Sequence, residues 1–244
     1  MKKNYKRGDR FNEIILSTVN SNMQKKILRL IEEVKNAQKV DEHGNWDFHN
    51  NVNYQGVGEA INWDLYDYGY DYHSKKLLGV IQIRQYVKRR KSHYPQIKKN
   101  YYLIGTNEDK SYFAHPVEAR VIHSAIKKGE SVIKTVQNWI FNTDYKTISR
   151  QGDMGLISCK KQKGELIEES QVVLRDSHLI SADIIYVSLK KGLDSDDFYN
   201  EYYALNPTMT HIPNLHPEIS SEGWCKVIEG KRTSYWDFSA PTID

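Results

Sequence analysis

From Arg150-Gln151-Gly152-Asp153 onward the sequence breaks into short apolar runs separated by turn residues: Met154–Ile157, Ser170–Leu174, Ile184–Val187, Glu201–Leu205 and Trp224–Ile228. Runs of this length between turn signals read as strands, and several at this spacing predict a small barrel or sandwich. A soft boundary near residue 150 divides a region 1–149 from a β-rich region 150–244.

The first region has a different grain. Met23, Ile27, Leu30, Ile31 and Val34 recur at spacings of three and four, which predicts an amphipathic helix over 21–35, with Ser21 and Gln24 placed as a capping box. Leu77–Val87 and Lys99–Gly105 read as a hairpin joined by a basic tip, and Trp46 to Tyr72 reads as loop with short ordered pieces. His115-Pro116-Val117-Glu118 suits a helix start, Gly129 a helix stop, and a second helix should run from Ser131. The expected fold class is therefore α+β: N-terminal helices packed on a small antiparallel sheet, followed by a β-rich barrel-like or sandwich-like part.

Composition narrows the setting. With 39% hydrophobic and 27% charged residues the chain lies in the globular range. No apolar run approaches membrane-spanning length, and the segment after the charged start, Phe11–Ser17, is too short and polar for a signal-peptide core. Cys159 and Cys225 make no disulfide framework and no CxxC motif. The expectation is a cytoplasmic protein without a membrane partner; its oligomeric state is not legible.

The net charge of +4 is modest, but its distribution is uneven: no carboxylate falls between Tyr72 and Asn107. Within that stretch Arg84, Lys88, Arg89, Arg90, Lys91, Lys98 and Lys99 stand beside Tyr94, with Tyr86, Tyr101 and Tyr102 as aromatic neighbours. Cations of this kind contact phosphates and tyrosine faces stack on unpaired bases, so these residues are candidates for binding nucleic acid, RNA foremost. The same charges would fit an acidic protein surface, a solvated loop that keeps an edge hairpin soluble, or the chain's own Asp64, Asp67 and Asp71. Gly56-Val57-Gly58 lacks the third glycine of a dinucleotide fingerprint and reads as a turn.

A second constellation lies downstream. Asp176-Ser177-His178 follows one predicted strand, and Thr210-His211-Ile212-Pro213-Asn214-Leu215-His216-Pro217 precedes another. Imidazoles on neighbouring loops can ligate a divalent transition metal, with Asp176 joining His178, His211 and His216 and with Glu218 nearby. Without metal, the same three histidines can serve as general acid and base in RNA cleavage, with Lys226, Lys231 and Arg232 as the local cations. The plain alternative is that each imidazole holds a turn.

Arg150-Gln151-Gly152-Asp153-Met154, the Asp176-Ser177-His178 segment and the stretch Thr210-His211 to His216-Pro217-Glu218-Ile219 resemble a small bacterial family of uncharacterised proteins. Its members open with Arg-Gln-Gly-Asp-Val, then carry Gly-His-Ala-His and His-Glu-Glu-His segments. The resemblance covers residues from about 150 onward and implies a shared site without naming its chemistry. Asp176 stands where that family has its first histidine, so a metal there would take a carboxylate in place of an imidazole. Three functions follow as expectations: an RNA-directed hydrolase or endoribonuclease, a non-catalytic adaptor that binds nucleic acid or protein, and a cupin-like metalloenzyme acting on a small molecule.

Overall fold

Among the described residues, strands take up far more of the chain than helices. The computed structural model describes residues 21–37, 57–87, 96–106, 110, 112–191, 198–212 and 217–231, with the backbone alone of 35–37, 57–63, 83–87 and 96–98. These residues fall into two units, one running to Trp139 and the other spanning Ile140–Lys231.

In the first unit, helix α1 (Ser21–Ala37) is followed by strands β1 (Val57–Tyr70), β2 (Leu77–Val87), β3 (Gln96–Thr106) and β4 (Tyr112–Val117), an antiparallel meander in the order β1-β2-β3-β4. Ile27, Leu30, Ile31 and Val34 of α1 share a buried cluster with Leu65, Ile81, Tyr102 and Ile104. Helices α2 (Ala119–Lys128) and α3 (Val132–Phe141) come next. Gly129 takes φ 70° after α2, and the amides of Gly129 and Glu130 close on the carbonyls of Ile126 and Ala125, a Schellman turn. Asp67 Oδ2 accepts from the Ile133 amide at 3.1 Å and satisfies the start of α3.

The second unit holds β5 (Ser149–Gln151), β6 (Met154–Ser158), β7 (Glu165–Ile167), β8 (Gln171–Leu174), β9 (His178–Ser181), β10 (Ile184–Lys191), β11 (Phe198–Leu205), β12 (Thr208–His211), β13 (Ile219–Ser220) and β14 (Trp224–Glu229). They form a six-stranded sheet, β5-β6-β14-β11-β10-β7, and a four-stranded sheet, β13-β12-β9-β8. Met154, Leu156, Ile185, Ala204, Cys225 and Val227 of the larger sheet share one core with Leu174, Ile180 and Met209 of the smaller.

The expected fold class is corrected by this arrangement. The described residues are mostly β, with three helices against fourteen strands in three antiparallel sheets. They do not form a set of N-terminal helices on a small sheet, since α2 and α3 follow the first sheet in the chain, and no sheet closes into a barrel. The physical reasons are local. β1 occupies part of the stretch read as loop: a register shift between Leu65 and Asp67 and the burial of Asp64 beside Leu65 and Tyr66 erase its alternation. His115 and Pro116 belong to β4 rather than to a helix start, because β4 is an edge strand where proline's missing N–H costs no ladder bond. The larger sheet ends at both sides in three-residue strands, β5 and β7, too short to meet each other.

The Arg-Gln-Gly-Asp motif does structural work at the entry to the second unit. Arg150 lies 5.9 Å over the Tyr145 ring, Gln151 Nε2 donates to the Pro217 carbonyl, and Gly152 takes φ 57° in the turn. Asp153 pairs with Arg175, whose guanidinium also donates to Glu229 at 2.7 Å and to the Gly230 carbonyl at 2.8 Å. Arg175 sits in the β8–β9 turn with φ 53° and only 11% of its side chain exposed, and it ties that turn to the β5–β6 turn and to the end of β14, where Glu229 is the partly exposed member. Removing one member of such a set leaves buried charge uncompensated. Arg175→Ala should lower the unfolding free energy by about 3 kcal/mol, read from equilibrium urea denaturation; a loss under about 1 kcal/mol would mean that the network is dispensable.

Candidate functional site

The two described histidines of the downstream constellation are brought together. His178 opens β9 and His211 closes β12, directly opposite in register, with ring centroids 4.7 Å apart at 65°. Their parity is that of Ile180 and Met209, the core residues two positions along, so both rings are carried into the interior and are 3% and 7% exposed. Ser177 Oγ lies 3.0 Å from His178 Nδ1. Asp176 is exposed in the β8–β9 turn with φ 53°, and His216 lies outside the described residues. Among the described residues no three His, Cys, Asp or Glu side chains converge as metal ligands. Glu218 accepts from Thr210 Oγ1 at 3.0 Å.

The basic hairpin is seen in part. Lys88, Arg89, Arg90, Lys91 and Tyr94 lie outside the described residues, and Arg84 and Lys98 are placed by backbone alone, in β2 and β3. Lys99 is exposed and stands directly across from Arg84. Tyr101 and Tyr102, proposed as stacking neighbours, are buried at 6% and 5% exposure. Tyr101 accepts from Gln82 Nε2 at 2.6 Å and lies 3.2 Å from His123 Nε2, so its ring is a core element.

A further site comes from the parity that the core leaves over. In the six-stranded sheet the residues alternating with the core point to the opposite face, and the register lines up Ile157, Lys226, Tyr203, Tyr186 and Leu166 in one cross-strand row. Trp224, two residues before Lys226, stacks on Tyr186 with centroids 5.6 Å apart and planes at 10°. Lys161 lies 5.8 Å from the Tyr186 ring and 5.7 Å from that of Trp224. Both rings are half-buried, while Lys160, Lys161 and Lys163 in the loop before β7 are exposed. On this face Tyr203, at the centre of the row, is buried, and the half-buried aromatic pair beneath a cation can hold a flat ligand by stacking and an anionic one by charge.

Beside this pair lies a polar node. Tyr203 donates from its hydroxyl to Glu201 at 2.6 Å, Lys226 pairs with the other Glu201 oxygen, and Lys226 Nζ stands 5.9 Å from the Tyr203 ring. Burial alone would raise the Glu201 carboxyl, but hydrogen bonds from Lys226 and Tyr203 and the charges of Lys226 and Lys190 hold it below the usual range. Burial and the bond to the Glu201 carboxylate push the Tyr203 phenol up. Burial likewise raises the Cys159 thiol, which disfavours a reactive thiolate.

The node adjoins a cavity of about 450 Å³ within the same unit. The β11–β14 ladder stops at Tyr202↔Val227, while β11 continues beside β10 to Phe198 and β14 beside β6 to Glu229. Residues of both diverging stretches, Tyr199 to Tyr202 and Lys226 to Glu229, line the cavity with Phe141, Asn142, Thr143, Ile157 and Leu174.

No family model, curated protein or solved structure matches this chain. The geometry alone therefore carries the functional reading.

Lys226 was visible in the sequence as a local cation, but Trp224, Tyr186, Lys161, Glu201 and Tyr203 were not singled out. A usable signal was present: Tyr186, Tyr203 and Trp224 all fall on the parity opposite to the core residues Ile185, Ala204 and Cys225. What was missing was the strand order that sets β14 beside β11.

Glu201 gives the node a pH signature. A carboxyl held below its unfolded value adds stability that is present above the unfolded pKa and is lost as pH falls through the folded one. Wild type should exceed Glu201→Gln by about 1 kcal/mol near pH 7, and the gap should close on acidification below about pH 4. Urea melts across that range check it; a gap that stays constant with pH would contradict the ionised node.

Proposed function

We propose that this chain binds single-stranded nucleic acid, without cleaving it, on the outward face of the six-stranded sheet in Ile140–Lys231. The observation that carries the reading is the stacked, half-buried Tyr186–Trp224 pair beneath Lys161, on the sheet face turned away from the core and beside exposed Lys160 and Lys163. Single strands are held by aromatic platforms for bases and by cations that track the backbone, with little demand on sequence. The loop Cys159-Lys160-Lys161-Gln162-Lys163-Gly164 contains three lysines and no carboxylate, as phosphate contact requires.

Binding is favoured over cleavage by the burial of the two described histidines of the set. General acid–base catalysis by these histidines needs their imidazoles within hydrogen-bond reach of the reacting oxygens. His178 and His211, at 3% and 7% exposure, are turned into the protein interior. Their place in register supports a role in joining β9 to β12.

Fluorescence anisotropy with labelled U10 and dT10 tests the proposal. Trp224→Ala and Tyr186→Ala should each weaken binding roughly tenfold or more, the scale of one base–aromatic stack. Replacing Lys160, Lys161 and Lys163 together by alanine should reduce the slope of log K against log salt by about 2, and the oligomers should be recovered intact. Absence of binding, or affinity indifferent to both aromatic substitutions, would overturn the proposal; shortened oligomers would favour the hydrolase instead.

A further inference from the structure

We propose that the cavity where β11 and β14 diverge receives one nucleobase of the bound strand and selects guanine through Glu201. The inference rests on the single-strand binding reading above and gives that site a base preference.

Position is the first argument. Lys226 lines the cavity and also stands 5.9 Å from the Tyr203 ring, and Tyr203 is the register neighbour of Tyr186. Adjacent strands are about 4.8 Å apart, so a strand stacked on Tyr186 and Trp224 passes the cavity mouth within the reach of a neighbouring nucleotide. Shape is the second. A volume of about 450 Å³ is within the range of small-molecule sites, and Phe141 and Tyr199 give aromatic surface while Val227 and Ile228 give apolar surface.

Chemistry decides the base. Glu201 is 13% exposed and is fixed in orientation because Lys226 holds one oxygen and Tyr203 the other. Each carboxylate oxygen accepts more than one hydrogen bond, so both retain acceptor capacity toward a ligand. Guanine presents two adjacent donors, N1–H and the N2 amine, in the spacing of a carboxylate. Adenine and cytosine present one amine beside a ring-nitrogen acceptor, and uracil one imino group between two carbonyls. Each of these sets an acceptor against the carboxylate, an unpaired arrangement that low dielectric makes costly.

The test compares U10 with decamers carrying one central guanosine, adenosine or cytidine, by anisotropy with wild-type protein at pH 7. The guanosine decamer should bind roughly tenfold or more tightly than the others, the scale of a bidentate base contact. Replacing that guanosine by 1-methylguanosine or inosine, each lacking one donor, should remove most of the advantage with no change to the protein. Glu201→Gln, verified as folded by its melting transition, should bring the three substituted decamers within about twofold of one another. Trp224→Ala should weaken all of them alike. Equal affinity for every decamer with binding still dependent on Trp224 would overturn the base pocket and leave the platform standing. A guanosine preference that survives 1-methylguanosine and Glu201→Gln would overturn the assignment to this carboxylate, and failure of every decamer to bind would remove both readings together.

Discussion

β14 is held on both edges, by β6 from Cys225↔Ser158 to Glu229↔Met154 and by β11 from Tyr202↔Val227 to Leu205↔Trp224. Once a strand is paired on both sides its two faces are committed, because a slip of one residue would exchange them entirely. Cys225 and Val227 therefore enter the core, and Trp224 and Lys226 must point away from it. The aromatic pair, the Lys226–Glu201–Tyr203 node and the cross-strand row through Tyr186 all depend on that single register. A strand that arrives last in the second unit thus completes both its core and its outward face.

The early end of the β11–β14 ladder has the opposite character. Where two strands part, backbone and side chains from both edges line the gap, and here the lining mixes apolar residues with Asn142, Thr143, Asn200 and Lys226 and with two carboxylates, Glu229 and the Glu201 of the polar node. Lys226 and Tyr203 keep that carboxylate charged and oriented, at the energetic cost of desolvating it. Next to that gap, Arg175 gathers Asp153, the Gly230 carbonyl and Glu229, which also lines the cavity, so β14 is also anchored where it terminates. The strained positive-φ turn that carries Arg175 is thereby given a compensating set of charged hydrogen bonds.

Local patterns were readable where periodicity was clean. The β2–β3 hairpin, α1, and the runs that became β6, β8, β10, β11 and β14 all lie where their alternation or helical spacing puts them. Two places defeated that logic. β1 was hidden by a buried polar residue, Asp64, and by its register shift, and β4 was hidden by a proline that an edge strand tolerates. The assembled class of the described residues, mostly β with three antiparallel sheets, could not be read because pairing between distant strands leaves no mark on either one. For the same reason the histidines were conspicuous and the platform was not: His178 and His211 are rare residues that draw the eye, whereas Tyr186 and Trp224 become a pair only through the strand order. Parity did contain the answer for His178, since Ile180 two residues on marks its face as the buried one.

The central claim is that nucleic acid contacts the outward face carrying Tyr186 and Trp224, and photocrosslinking reads that contact directly. A single-stranded RNA decamer bearing 4-thiouridine, irradiated with the full chain and digested for mass spectrometry, should leave its adduct on peptides containing Tyr186 or Trp224. Adducts confined to other peptides, or none at all at saturating protein, would contradict the account.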